Sequence, residues 1–236
     1  SAPAGAQGIR DALDILIAKG RLPQGEDVKV VVLGGDGSTY DMALSATSGA
    51  MNRRLDFYYI CYDNEAYGNT GMQLSPATPY AARTATSPCG LQHPAGTAQE
   101  KKDLFEIWRA HRPPYIATVA PRYPLDLEEK FARAAAFTGP KMFLALAACP
   151  TGWLYDPGTT PEVARMAVET GLWPLKEAIK GVVTHTYIPK RKPVEAYLRL
   201  QGRFQHLFEP TVQTDAIRHI QERVDAYWEQ AMQEQA

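Results

Sequence analysis

Apolar positions along the chain alternate between two spacings. Residues 9–19 (IRDALDILIAK) place Ile9, Leu13, Leu16 and Ile17 on one stripe, the spacing of an amphipathic helix, and Gly20 and Pro23 close it. Residues 28–33 (VKVVVL) form a β-branched run of buried-strand type, interrupted by Gly34-Gly35-Asp36-Gly37. A run of small residues at 42–51 (MALSATSGAM) predicts a helix able to lie close to a sheet or a ligand. A second strand follows at 57–62 (FYYICY), stopped by Asp63-Asn64-Glu65. Residues 68–96 are rich in Gly, Pro, Thr and Ser and show neither period; a long patternless stretch inside a compact domain is functional or disordered. Beyond it the pattern predicts a helix at 102–111, a strand at 115–120, an amphipathic helix at 125–137 and a strand at 141–148.

This alternation predicts an α/β fold, a mostly parallel sheet with helices on both faces. Ligands of such sheets sit beyond the carboxyl ends of the strands. Here those ends are Gly35-Asp36-Gly37, Asp63-Asn64, Pro121-Arg122 and Cys149. After residue 158 the character changes: a helix at 160–170, a short hairpin at 177–187, a helix at 194–207 and a polar, solvated helix at 215–235. We therefore expect an α/β domain over residues 1–158 and a C-terminal extension of helices and an arm over 159–236, packed on that domain and on a partner.

Composition adds exclusions. The formal net charge is −1 over 236 residues, so no global electrostatic case exists for nucleic acid or a membrane surface. No apolar run approaches the ~20 residues that span a bilayer. Three widely spaced cysteines, Cys61, Cys89 and Cys149, do not suggest a disulfide framework and fit a cytoplasmic protein. The five histidines show no HxH or HExxH spacing.

Two loops carry chemistry. Strand-Gly-Gly-Asp-Gly-helix lets backbone approach a diphosphate in front of a helix N-terminus, and Asp36 is a hard oxygen donor suited to Mg²⁺. Alone, the same motif is an ordinary turn. The second loop, Asp63-Asn64-Glu65-Ala66-Tyr67-Gly68-Asn69-Thr70-Gly71, also follows a strand directly, and 26 residues, 38 to 63, separate Gly37 from Asn64. One helix and one strand fill that interval, so the loops should emerge side by side and an acid and an amide should converge on one cation.

That spacing is the fingerprint of thiamine diphosphate enzymes, and the segment LGGDGSTYDMALSATSGAMNRRLDFYYICYDNEAYGNTGMQLSPATPYAA resembles the thiamine-binding subunit of 2-oxoacid:ferredoxin oxidoreductases, especially the pyruvate members. Ala148-Cys149-Pro150-Thr151-Gly152-Trp153, Ala167-Val168-Glu169-Thr170-Gly171, Lys190-Arg191-Lys192-Pro193-Val194-Glu195 and Leu200-Gln201-Gly202-Arg203-Phe204 extend the resemblance over roughly residues 5–208. It implies that Gly35, Asp36, Gly37, Ser38, Asn64 and Asn69 bind the cofactor. It implies Mg²⁺ on Asp36, Asn64 and the Ala66 carbonyl, and Asn69 and Thr70 as catalytic residues beside substrate. Cys149 would be one ligand of a [4Fe–4S] cluster, which needs four thiolates; by its sequence alone it is equally a strand-end cysteine acting as a small hydrophobe. The family's other three cysteines lie upstream of the Gly-Asp-Gly strand and are not in this sequence.

The activity implied is oxidative decarboxylation of a 2-oxo acid to acyl-CoA and CO₂, with electrons passing through iron–sulfur clusters to ferredoxin. A partner subunit supplies the glutamate for the pyrimidine ring, giving a hetero-oligomer. Other 2-oxo acids (2-oxoglutarate, branched-chain, aryl-glyoxylate, oxalate), a non-redox thiamine-dependent decarboxylase or synthase, and a non-catalytic assembly subunit stay open.

Overall fold

The computed structural model describes residues 1–23 and 28–234. Six strands form one sheet in the order β1-β2-β4-β3-β5-β6. β1 (Val31–Gly35), β2 (Phe57–Asp63), β4 (Pro140–Leu146) and β3 (Tyr115–Val119) run parallel. β5 (Lys176–Ile179) and β6 (Val182–His185) extend the same sheet antiparallel, as the predicted hairpin. The fold is therefore the expected α/β sheet, and residues after 158 contribute two of its strands.

Helices cover both faces, as the near-continuous apolar character of the parallel strands requires. On one face α4 (Pro124–Ala135) packs Phe131 and Leu127 against Tyr58, Tyr115 and Phe143, with the Phe131 and Phe143 rings stacked at 4.0 Å. The other face holds the larger core. It takes Ala6 of α1 (Ala2–Ala18), Met51 of α2 (Leu44–Asn52), Trp108 of α3 (Leu104–Ala110), Val163 of α6 (Thr160–Glu169) and Trp228 of α8 (Thr214–Glu234). No helix among the described residues is long and apolar enough to cross a membrane.

Three expectations shift. The first strand begins at Val31 rather than Val28 and runs through Gly35, since Gly34 and Gly35 still pair with Cys61 and Tyr62; Gly34 faces the Tyr59 hydroxyl, which a Cβ there would meet at 2.5 Å. The helix expected at 194–207 is broken in two: α7 (Glu195–Leu198), then extended Gln201 and a tight turn over Gly202–Leu207. The break lets Arg203 turn inward to a buried carboxylate. The C-terminal helix is not solvated all round: Ile217, Ile220, Val224, Trp228 and Ala231 are buried along one stripe. The last residue assigned to it from sequence, Gln235, lies outside the described residues. A short helix, α5 (Pro150–Trp153), follows β4.

Candidate functional site

Parallel pairing sets Gly35 beside Tyr62, so the loops after β1 and β2 leave the sheet together. Asp36 is buried at the end of β1, beside the loop that carries Asn64, whose backbone favours the charged carboxylate. The two loops therefore emerge side by side, as the interval between Gly37 and Asn64 predicts. The Asn64 side-chain oxygen accepts from the Ala66 N–H at 3.2 Å, an Asx turn that leaves its second lone pair open. Ala66 is itself buried.

Gly37 lies under the ring of Tyr67: a Cβ there would sit 2.3 Å from two ring carbons. Tyr67 in turn donates to Asp41 at 2.6 Å. Ser38 follows in a wide turn, Ser38–Met42, that runs into α2. Burial, and then the nearby Asp63 charge, push the Asp36 carboxyl up to about 7 against the opposing hydrogen bond from Ser75. A carboxylate held in this way is short of positive charge. A divalent cation, ligated by Asp36 and by the neutral oxygens of Asn64 and Ala66, suits that donor set.

Behind this pair lies a network that sequence reasoning missed. Ser75 donates its hydroxyl to Asp36 at 2.6 Å. Thr78 donates to the Glu65 carbonyl at 2.7 Å, so the long loop is fastened once to the loop after β1 and once to the loop after β2. Glu65, with positive φ of 63°, turns its side chain away from the site into the core. There it pairs with Lys101 at 2.9 Å and Arg203 at 2.6 Å, while Lys101 also reaches Asp63 at 2.7 Å. Tyr40 donates to Asp63 at 2.7 Å. Burial opposes the charge on Glu65, but Lys101 and then Arg203 outweigh it and hold the carboxyl below its ordinary range. The two acids flanking Asn64 thus point backward and lock the turn that presents it forward. Arg203 sits in a motif singled out by resemblance alone; nothing in local periodicity links it to a glutamate 138 residues away.

The segment after β4 joins this network. Trp153 donates its indole N–H to the Asn64 carbonyl at 2.8 Å, and the Arg203 guanidinium stacks on the Trp153 ring at 3.9 Å. Cys149 begins α5, half-buried, its sulfur accepting from the Gly152 N–H at 3.4 Å. Among the described residues no group of three His, Cys, Asp or Glu side chains is placed to hold a metal ion. Asn69 and Thr70, by contrast, are exposed. Thr70 bonds to the Gln73 side chain, and Gln73 donates back to the Thr70 carbonyl at 2.7 Å.

Comparison with known proteins places this geometry. Residues 2–144 match the family described as thiamine pyrophosphate enzyme, C-terminal TPP binding domain. The chain is 47% identical to the pyruvate synthase subunit PorB of Methanothermobacter thermautotrophicus, over 96% of this chain and 74% of that one. It is 45% identical to the PorB of Methanosarcina barkeri, over 95% and 74%. It is 42% identical to the ketoisovalerate oxidoreductase subunit VorB of Pyrococcus furiosus, over 88% and 67%. The fold and the paired loops are those of a thiamine pyrophosphate-binding enzyme domain. Within that class, the chain belongs to the family of PorB-type oxidoreductase subunits.

Proposed function

We propose that this chain holds the diphosphate and Mg²⁺ of thiamine diphosphate in an enzyme that oxidatively decarboxylates pyruvate. The carrying observation is the buried Asp36 carboxylate at the end of β1, held by the Ser75 hydroxyl at 2.6 Å beside the loop that carries Asn64. Gly35, Gly37 and Ser38 line the diphosphate side, and Asp36, Asn64 and the Ala66 carbonyl hold the cation. When bound, thiamine diphosphate supplies the carbon nucleophile and electron sink for decarboxylation, while the protein binds and orients it. Asn69 and Thr70, on the exposed rim beyond Asn64, face the 2-oxo acid.

A partner subunit contributes the glutamate that engages the pyrimidine ring. Cys149 supplies one thiolate of a [4Fe–4S] cluster, the other three coming from outside this sequence. Electrons leave through that route to ferredoxin, and coenzyme A takes the acyl group. The complex works in the cytoplasm. Residues 1–158 form the cofactor-binding unit, and residues 159–236 pack on it and on the partner.

The test is turnover of the purified complex with a panel of 2-oxo acids, coenzyme A and a one-electron acceptor dye. Pyruvate is expected to be the best substrate, with acyl-CoA formed. No turnover of any 2-oxo acid would remove the reading. Similarity to the ketoisovalerate subunit favours one second reading, a branched-chain 2-oxo acid, which the same panel distinguishes.

A further inference from the structure

A cavity of about 310 Å³ lies between the sheet and α8, at the lower end of the range of small-molecule sites. Its walls are mostly apolar: Phe105 of α3, Trp173 before β5, and Ile220, Val224 and Tyr227 of α8 line it. At one end stands the side chain of Lys176, a residue only 7% exposed. Its ammonium sits 4.2 Å from the centroid of the Phe105 ring and 5.0 Å from that of Tyr227. Among the described residues no carboxylate comes within ion-pair distance of it. Asp103, Glu106 and Glu234 bear on it only from farther off, opposed by Arg109.

A buried cation is costly unless something compensates it. Two ring faces offset part of that cost. Burial holds the Lys176 amine below its ordinary range, the response expected of a cation without an anion. Lys101, at the other end of the cavity, is already taken by Asp63 and Glu65.

From the cavity and this uncompensated lysine we infer a binding site for a small apolar monocarboxylate, its carboxylate on the Lys176 ammonium and its tail against Phe105, Trp173 and Val224. One free cation matches one negative charge. The other cations that line the cavity are engaged, Lys101 by Asp63 and Glu65, Arg223 by Glu100 and Lys102 by the Tyr40 carbonyl, so the second charge of a phosphate ester would have to displace one of these bonds. A neutral ligand would leave the lysine as it stands. The Lys176 end of the site uses none of the residues assigned to diphosphate or cation, although Tyr40 and Glu65 of the neighbouring loops also line the cavity, so its test does not depend on the thiamine reading.

The experiment measures binding of 3-phenylpropionate and of its neutral isostere 3-phenyl-1-propanol to the purified complex by calorimetry. It compares wild type with Lys176→Met and with Val224→Phe, which fills the cavity from α8. A charge-assisted hydrogen bond contributes about 1.5–3 kcal/mol, so Lys176→Met should weaken the carboxylate by about ten-fold or more. The alcohol should be indifferent to that change, and Val224→Phe should abolish binding of the carboxylate. Failure of wild type to bind 3-phenylpropionate, equal carboxylate affinity in Lys176→Met, or undiminished binding in Val224→Phe would each overturn the assignment.

Discussion

The two halves of the loop after β2 are built differently. Asp63, Asn64 and Glu65 carry local turn bonds and are also held from behind by Lys101, Arg203, Tyr40 and Trp153, all from elements distant in sequence. Asn69 and Thr70, only a few residues on, are exposed, and Thr70 is bonded to Gln73 within the same turn. The first half is preorganised by this chain's own core. The second is an exposed surface. Fixed donors suit the cation and diphosphate binding proposed for the first half, whereas an exposed rim can be completed by substrate or a partner.

If the buried half carries the cation, removing its charge should have the largest effect. Asp36→Asn should lower turnover of the complex by more than about a hundred-fold, beyond what loss of an outer-shell partner costs, in a steady-state assay with saturating Mg²⁺. Next comes the brace. Lys101→Met leaves Asp63 and Glu65 facing each other without their shared cation, and should cost about 3–5 kcal/mol in chemical denaturation. Ser75→Ala leaves the fold in place but frees Asp36, and should weaken cofactor affinity by about ten-fold, read as the thiamine diphosphate concentration that restores half-activity.

Acid should loosen the same brace. The Glu65 carboxyl is depressed from its ordinary 4.5, so its stabilisation is fully present above that value and is lost as pH falls through the lowered folded value. Urea midpoints measured from neutral pH downward should fall below pH 4.5 more steeply in wild type than in Glu65→Gln. The smallest stability effect belongs to the exposed half. Asn69→Ala and Thr70→Ala should change stability by less than about 0.5 kcal/mol while lowering turnover at unchanged cofactor content. A large loss of stability there would erase the contrast between the halves.

The same contrast explains what was legible in the sequence. Strand-ending loops, periodic helices and the interval from Gly37 to Asn64 are local signals, and they locate the sheet and bring the loops of Asp36 and Asn64 side by side. Ser75, Lys101 and Arg203 act across the fold. Ser75 looks like any loop serine until the loop folds back on Asp36, and Glu65 reads as an exposed turn acid until its positive φ directs it inward. The helix expected at 194–207 fails for the same reason, since Arg203 must reach Glu65 and an unbroken helix does not take it there. The C-terminal helix is a different case. Ile217, Ile220, Val224, Trp228 and Ala231 form a readable stripe, masked by the polar residues between them.

The central claim is that this chain fixes the diphosphate and metal of thiamine diphosphate through Asp36 and Asn64. The most direct measurement is the thiamine diphosphate content of the purified complex per copy of this chain, with Mg²⁺ present and after chelation. The account predicts stoichiometric cofactor that is lost on chelation, regained with Mg²⁺, and absent from Asp36→Asn. An active complex without thiamine diphosphate, or full retention of the cofactor by Asp36→Asn, would contradict it.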